Sequence, residues 1–318
     1  MSALRFRVLP RHYEATDVNR QRQQLSKALL VMLFVLPGMT LFSLFLLMPI
    51  GQSAIFSVYD WDGFGPLSDY VGFSNYERLL GHEVFQGAVI HSFAIMALSL
   101  GIQLPLALGL ALLVGRGKLR ARKIFRTILF IPFVFSDIIT ATIWRYVLHP
   151  DEGLLNTVLG TFIVDYQKVG WLGDRNIVLL GIFAVLTWKY FGFHMILYMA
   201  GLQSIPGDLE DAARVDGASG SQVLRYVTLP LLGSTIRLSV FLSILGSFQQ
   251  FVIVWVLTEG GPVNASELIA TYLFKYGIQR LNLGYGAAVA VVLFGITLLF
   301  SLGYQRLILR QDYSGDYV

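Results

Sequence analysis

The chain has 318 residues, of which 55% are hydrophobic and only 14% charged, with a mean hydropathy of +0.63. A soluble domain carries roughly a quarter charged residues, so this chain lacks the polar surface to cover itself in water. Its net charge of +4 sits in segments flanking apolar runs and is not gathered on one face, which excludes a nucleic-acid footprint.

Six apolar stretches follow one another, near 27–51, 86–114, 123–148, 176–202, 232–257 and 284–308. Each has about the 20 residues a helix needs to cross the hydrocarbon of a bilayer. Helices are expected because backbone groups in lipid must be satisfied within the segment, whereas a barrel would read as short alternating runs. The fold class is therefore an all-α polytopic membrane protein with six transmembrane helices. Residues 1–26 read as an N-terminal tail, 27–309 as the transmembrane domain and 310–318 as a C-terminal tail. No cleavable leader is expected, since the first apolar stretch is long and follows a polar segment of about 25 residues.

Basic residues set the expected orientation. The tail before the first stretch holds Arg5, Arg7, Arg11, Arg20, Arg22 and Lys27, and the second connection holds Arg116, Lys118, Arg120, Arg122, Lys123 and Arg126. Arg214, Arg225 and Arg237 follow the fourth stretch, and Arg306 and Arg310 follow the sixth. The opposite connections hold only Arg78, Lys168, Arg175, Lys275 and Arg280. Both termini and the polar segment 204–230 are thus expected in the cytoplasm.

Catalytic chemistry finds no foothold. There is no cysteine, which excludes disulfides and thiolate sites, and no G-x-x-x-x-G-K-[ST] loop for nucleotide. The five histidines lack ligand spacing, His194 reads as a packed side chain, and no serine sits in a G-x-S-x-G elbow. No catalytic residue, metal site or cofactor is expected in this chain; transport, channel activity or scaffolding remains.

The polar segment SIPGDLEDAARVDGASGSQVLRYVTLP, 204–230, is built like a helix-turn-helix. Pro206 suits a first helical turn, and Asp208, Glu210 and Asp211 complement the positive end of the helix dipole. Leu209, Ala212 and Ala213 form a narrow apolar face, and Gly217 is placed to end the helix at positive φ. Ser219 and Gln222 have capping-box spacing for a second helix, and Pro230 is expected to interrupt hydrogen bonding before the fifth membrane helix. An amphipathic connection lying in the headgroups is the plainer reading of such a composition.

The spacing goes further. Asp211-Ala212-Ala213, three residues, Gly217, nine residues and Val227-Thr228-Leu229-Pro230 resembles the E-A-A-x3-G-x9-I-x-L-P signature of ABC importer permeases, with Asp for Glu and Val for Ile. Thr258-Glu259-Gly260-Gly261-Pro262 resembles the T-x-G-G-P turn of their carbohydrate branch, the maltose and glycerol-phosphate type. Tyr59 to Gly63 with Val71 to Tyr76 is similar to the first external loop of that branch. The resemblance runs from about 28 to 308.

That resemblance implies a type I importer permease in a bacterial or archaeal inner membrane. It implies as partners two cytoplasmic ATPase subunits carrying ATP and Mg, a second six-helix permease in a heterodimer, and an extracytoplasmic binding protein delivering a sugar. Asp211, Ala212, Ala213, Gly217, Leu229 and Pro230 would then form the ATPase-coupling element.

For the substrate path, Ser243, Ser247 and Gln250 recur at i, i+4 and i+7 and so share a helix face. Uncharged hydrogen-bonding groups suit sugar hydroxyls, although small polar residues also bind neighbouring helices. The family's sugar contacts fall at corresponding positions, and Tyr190 and Phe193 match its sugar-facing stretch on the fourth helix. Disaccharides, oligosaccharides, monosaccharides and glycerol phosphate all fit, the last less well because the path has no dense basic cluster. Asp137 and Lys189 lie within apolar stretches and each is expected to face protein or water. They form either a structural pair or part of the path; in a rival reading they are the coupling groups of an ion-driven transporter or channel.

Overall fold

The computed structural model describes residues 29–116 and 122–309. The expected tails and the basic turn at 117–121 lie outside them. The chain divides into two units, residues 1–55 and 56–318. The first unit is α1 (Leu29–Phe56), a single long apolar helix whose last residue falls in the second unit.

Among the described residues of the second unit the regular elements are all helices, and the one β pairing is a bridge between Tyr59 and Tyr70. That bridge lies in the loop expected to be the first external one. Asn75 Nδ2 clamps it, donating to the carbonyls of Ser57 and Tyr59 at 3.0 Å each. In chain order come α2 (Ser74–Gly81), α3 (Glu83–Gly115), α4 (Arg122–Val134), α5 (Asp137–Val147), α6 (Leu154–Phe162) and α7 (Val178–Ser204). Then follow α8 (Gly207–Val215), α9 (Gly220–Leu231), α10 (Gly233–Phe248), α11 (Val252–Thr258), α12 (Ile269–Tyr272, continued by a π turn Leu273–Ile278) and α13 (Leu283–Ile308).

Four of these helices, α1, α3, α7 and α13, are continuous and apolar enough to cross a membrane. The six-segment architecture stands, but two expected helices are not single rods. The stretch 123–148 is split: α4 and α5 meet at an angle of 100°. Ser136 takes an extended conformation and its Oγ accepts the Ile139 N–H at 3.3 Å, while Asp137 occupies the first turn of α5. A new helix start is thus capped in the middle of an apolar stretch. The stretch 232–257 is also split, α10 ending at Phe248 and α11 beginning at Val252. Neither proline nor glycine lies in the three-residue gap Gln249–Phe251.

The 27-residue α7 is the central post, and its buried residues run from Val178 to Leu202. Toward one end it packs with α5 and α11 around Ile182, Val185, Ala141, Ile253 and Val254. Toward the other it packs with α3 around Met195, Tyr198, Ala107 and Ala111. Between these cores Gly192 brings α7 against α4 so closely that a Cβ would overlap the Leu129 carbonyl. Helix propensity alone favours Gly192→Ala by about 1 kcal/mol. Contact between two backbones has no side chain to yield, and overpacking costs about 1–3 kcal/mol. The variant is expected to unfold at lower temperature in detergent; a raised midpoint would show that α4 gives way.

Candidate functional site

The segment 204–230 folds as two helices, as its caps dictate. Pro206 is the residue just before α8, one position ahead of the expected first turn. α8 closes at Gly217, which has φ +87; the Gly217 N–H donates to the Arg214 carbonyl and the Ala218 N–H to that of Ala213, both at 3.0 Å. This pair of bonds is a Schellman closure, which needs a left-handed residue at that point. Gln222 Oε1 accepts the Ser219 N–H at 2.7 Å, fixing the start of α9. Pro230 does not end that helix. A π turn over Leu224–Thr228 carries α9 through to Leu231, and the bend of 64° into α10 falls at Leu232. The wider turn accommodates the missing proline N–H.

The inward face of α8 is polar, and its narrow apolar face lies largely outward. Leu209 and Ala212 are exposed and Ala213 is half-buried, whereas Glu210 is buried at 7% exposure. Glu210 Oε1 accepts the Thr228 hydroxyl at 2.5 Å and Oε2 lies 3.7 Å from Arg214, so a carboxylate joins α8 to α9. Asp211 points outward and pairs with Arg214 at 2.7 Å. Leu209, Ala212 and Val215 are left as an exposed row of apolar positions on α8. A groove of ≈ 330 Å³ opens between the two helices, lined by Ala213, Gly217 and Tyr226 among others. Leu229 is half-buried and Pro230 exposed on α9.

The residues expected along the substrate path come together in one cavity of ≈ 360 Å³ between α3, α4, α5, α7 and α10. Tyr190, Phe193, Ser243, Ser247 and Gln250 all line it. The volume lies within the about 300–1,000 Å³ typical of small-molecule sites. Gln250 reaches it from the gap between α10 and α11 and not from a continuous helical face. Ser247 donates to the Ser243 carbonyl at 2.8 Å, which leaves its oxygen lone pairs for another donor. The Phe193 ring stacks on Phe133 at 5.0 Å and is held as a flat wall. His194 is buried with Nδ1 2.7 Å from Ser239 Oγ, the packed histidine its apolar neighbourhood implied.

Five further polar residues line the cavity, Ser99, Gln103, Asp137, His194 and Gln249, and of these the sequence offers only Asp137 as a candidate for the path. Ser99 and Gln103 delimit a π turn in α3, and Ser99 Oγ donates to Gln103 Oε1 at 3.1 Å. A glutamine within an apolar run was the available signal. Asp137 and Lys189 are a pair, Nζ to Oδ1 3.3 Å, with Lys189 only 3% exposed. Lys189 also donates to the carbonyls of Phe133 and Phe135, which the break between α4 and α5 leaves without helical partners. One buried ammonium thus satisfies the end of α4 and neutralises the start of α5. Tyr190 Oη lies 3.3 and 3.5 Å from the two Asp137 oxygens.

The T-x-G-G-P turn is pinned by Ser266, whose hydroxyl is 2.8 Å from Thr258 Oγ1 and donates to the Gly261 carbonyl at 2.5 Å. Next to it the fully buried Glu267 pairs with Lys275 at 3.1 Å.

Comparison with known proteins agrees with this architecture. A probable ABC transporter permease of Pyrococcus horikoshii is 32% identical over 286 residues, 90% of this chain and 96% of the relative. The trehalose/maltose transport system permease of Thermococcus litoralis is 31% identical over 274 residues, covering 86% and 92%. The fold matches a chain of a bacterial alginate ABC transporter, solved in complex with its alginate pentasaccharide-bound periplasmic protein, with a TM-score of 0.79 at 24% identity, covering 90% and 96%. Residues 15–312 match the family described as binding-protein-dependent transport system inner membrane component. The chain belongs to that family: it is a multi-pass permease subunit of an ABC importer, and its work is transport rather than catalysis.

Proposed function

We propose that this chain forms half of the translocation path for a carbohydrate, delivered by an extracytoplasmic binding protein and driven by a separate pair of ATPase subunits. The observation that carries the cargo is the cavity, where Tyr190 and Phe193 offer ring faces and Ser243, Ser247 and Gln250 offer uncharged hydrogen-bonding groups. Such a lining stacks on and hydrogen-bonds a sugar with little desolvation cost. Kinship with a trehalose/maltose permease supports it. The ion-coupled reading is not favoured, because the family's transport depends on a binding protein and Lys189 is committed to the carbonyls of Phe133 and Phe135.

The 204–230 segment is the coupling element. The outward row Leu209, Ala212 and Val215 gives an ATPase cleft an apolar face, with Asp211 as a polar contact, Ala213 and Gly217 shaping the turn, and Leu229 and Pro230 leading into α10. One such segment serves one ATPase, so a second permease, a related chain in a heterodimer, supplies the other. ATP and Mg reside on the ATPases. Both tails, 1–26 and 310–318, lie in the cytoplasm with this segment, as the basic bias requires.

Reconstitution of the chain with its ATPase, second permease and binding protein should give uptake of one or more of maltose, trehalose and lactose that needs internal ATP. Uptake driven by an ion gradient without ATP would overturn the proposal.

A further inference from the structure

We infer that Asp137 is a substrate-binding residue, the one charged acceptor of the cavity, and that it makes the site select uncharged sugars over sugars bearing a carboxylate or phosphate. This rests on the carbohydrate reading and deepens it.

Three observations carry the inference. First, Asp137 lines the same cavity as the aromatic and amide groups, and its side chain is 37% exposed although it starts a helix within an apolar stretch. A carboxylate needed only to neutralise Lys189 would be better enclosed with its partner. Second, its visible partners leave capacity over. Lys189 approaches one oxygen at 3.3 Å, and Tyr190 Oη lies 3.3 and 3.5 Å from the two. These are longer than the about 2.7–2.9 Å of a strong charge-assisted bond, and a carboxylate has about four acceptor sites. A sugar hydroxyl entering beside Tyr190 finds a charged acceptor already oriented. Third, no lysine or arginine lines the cavity. The ammonium of Lys189 is buried behind Asp137, turned to the carbonyls of Phe133 and Phe135. A uronate or sugar phosphate would therefore meet the negative end of the pair first, with the cation on its far side and no other to receive it, a repulsion that Lys189 reduces but does not cancel at close range.

The test uses the complete importer in proteoliposomes with its own binding protein. Uptake of maltose and lactose is compared with uptake of maltobionate and lactobionate, their aldonate forms, alongside ATP hydrolysis. The variant is Asp137→Asn combined with Lys189→Met, which removes both charges and so leaves no unpaired buried ion. Since the binding protein is the same throughout, its own preference cancels in the comparison.

Maltose or lactose uptake per ATP hydrolysed is expected to fall roughly 10-fold, the scale of a hydrogen bond to a charged group. The preference for the uncharged sugar is expected to shrink by a similar factor. Asp137→Glu, which keeps both charges but displaces the carboxylate by a methylene, covers the case in which the double variant does not assemble. It too is expected to lose about 10-fold in uptake. Wild-type uptake and preference in either assembled variant would overturn the Asp137 assignment and leave the pair a structural one. Failure of the unaltered importer to take up any uncharged sugar would overturn the carbohydrate reading itself, and this assignment with it.

Discussion

Gly217→Asp and Ala213→Asp are expected to abolish uptake while the chain remains inserted at its normal level. Gly217 has φ +87, a conformation that costs an L-residue roughly 1–2 kcal/mol, and it closes α8 through the two Schellman bonds. An aspartate there strains the turn and also sets a negative charge beside Asp216 at the exposed corner. Nothing lies within 4 Å of where its Cβ would go, so the chain itself accommodates the side chain and the damage falls on what docks there. Ala213 is half-buried in the groove between α8 and α9, and a carboxylate in its place narrows that groove and charges it. The membrane helices are untouched by either change. Uptake and membrane abundance, measured together, decide the matter: normal uptake at matched abundance would remove the coupling assignment. Gly217→Ala separates strain from charge, since it keeps only the first and is expected to retain part of the uptake.

The contrast between these residues and the rest of the site shows what a sequence can carry. Gly217, Ser219 and Gln222 were legible because capping and left-handed turns depend on a few adjacent residues. The break at Ser136 was encoded in the same local way, by Ser136-Asp137 as a helix start, yet the apolar run around it hid the signal. The gap at Gln249–Phe251 has no such mark. There the backbone departs from the helix beside a cavity, where freed polar groups are tolerated, and only tertiary packing specifies it. The pairing of Lys189 with the carbonyls of Phe133 and Phe135 was likewise out of reach, since it joins residues more than 50 positions apart through a bend that the apolar run conceals. The inward turn of Glu210 on α8 was out of reach for a related reason. Periodicity finds which residues share a face, but which face turns inward depends on the neighbour, and α9 offers Thr228 to a carboxylate.

That last point has a measurable consequence. A coupling element transmits motion only if its parts move as one body, and the joint between α8 and α9 is Glu210. Its Oε1 takes the Thr228 hydroxyl at 2.5 Å, and Oε2 faces Arg214 at 3.7 Å, a guanidinium that Asp211 also holds. Glu210→Ala removes a buried charged hydrogen bond, worth about 1.5–3 kcal/mol, and leaves the Thr228 hydroxyl without it in a site that is 3% exposed. The spanning helices keep their cores, so insertion is expected to be normal. Docking surfaces also survive, because Leu209, Ala212 and Val215 lie on the other side of α8. The expected phenotype is therefore uncoupling: the ATPase still co-purifies and hydrolyses ATP, but sugar carried per ATP falls several-fold. Thr228→Val, which removes the hydroxyl and nearly preserves the shape, should show the same defect more weakly. Combining the two should add little, because both act on one bond. If Glu210→Ala instead lost its ATPase altogether, the residue would belong to the docking face and the joint would lie elsewhere. If it transported normally, the contact between α8 and α9 would not be what makes the element rigid.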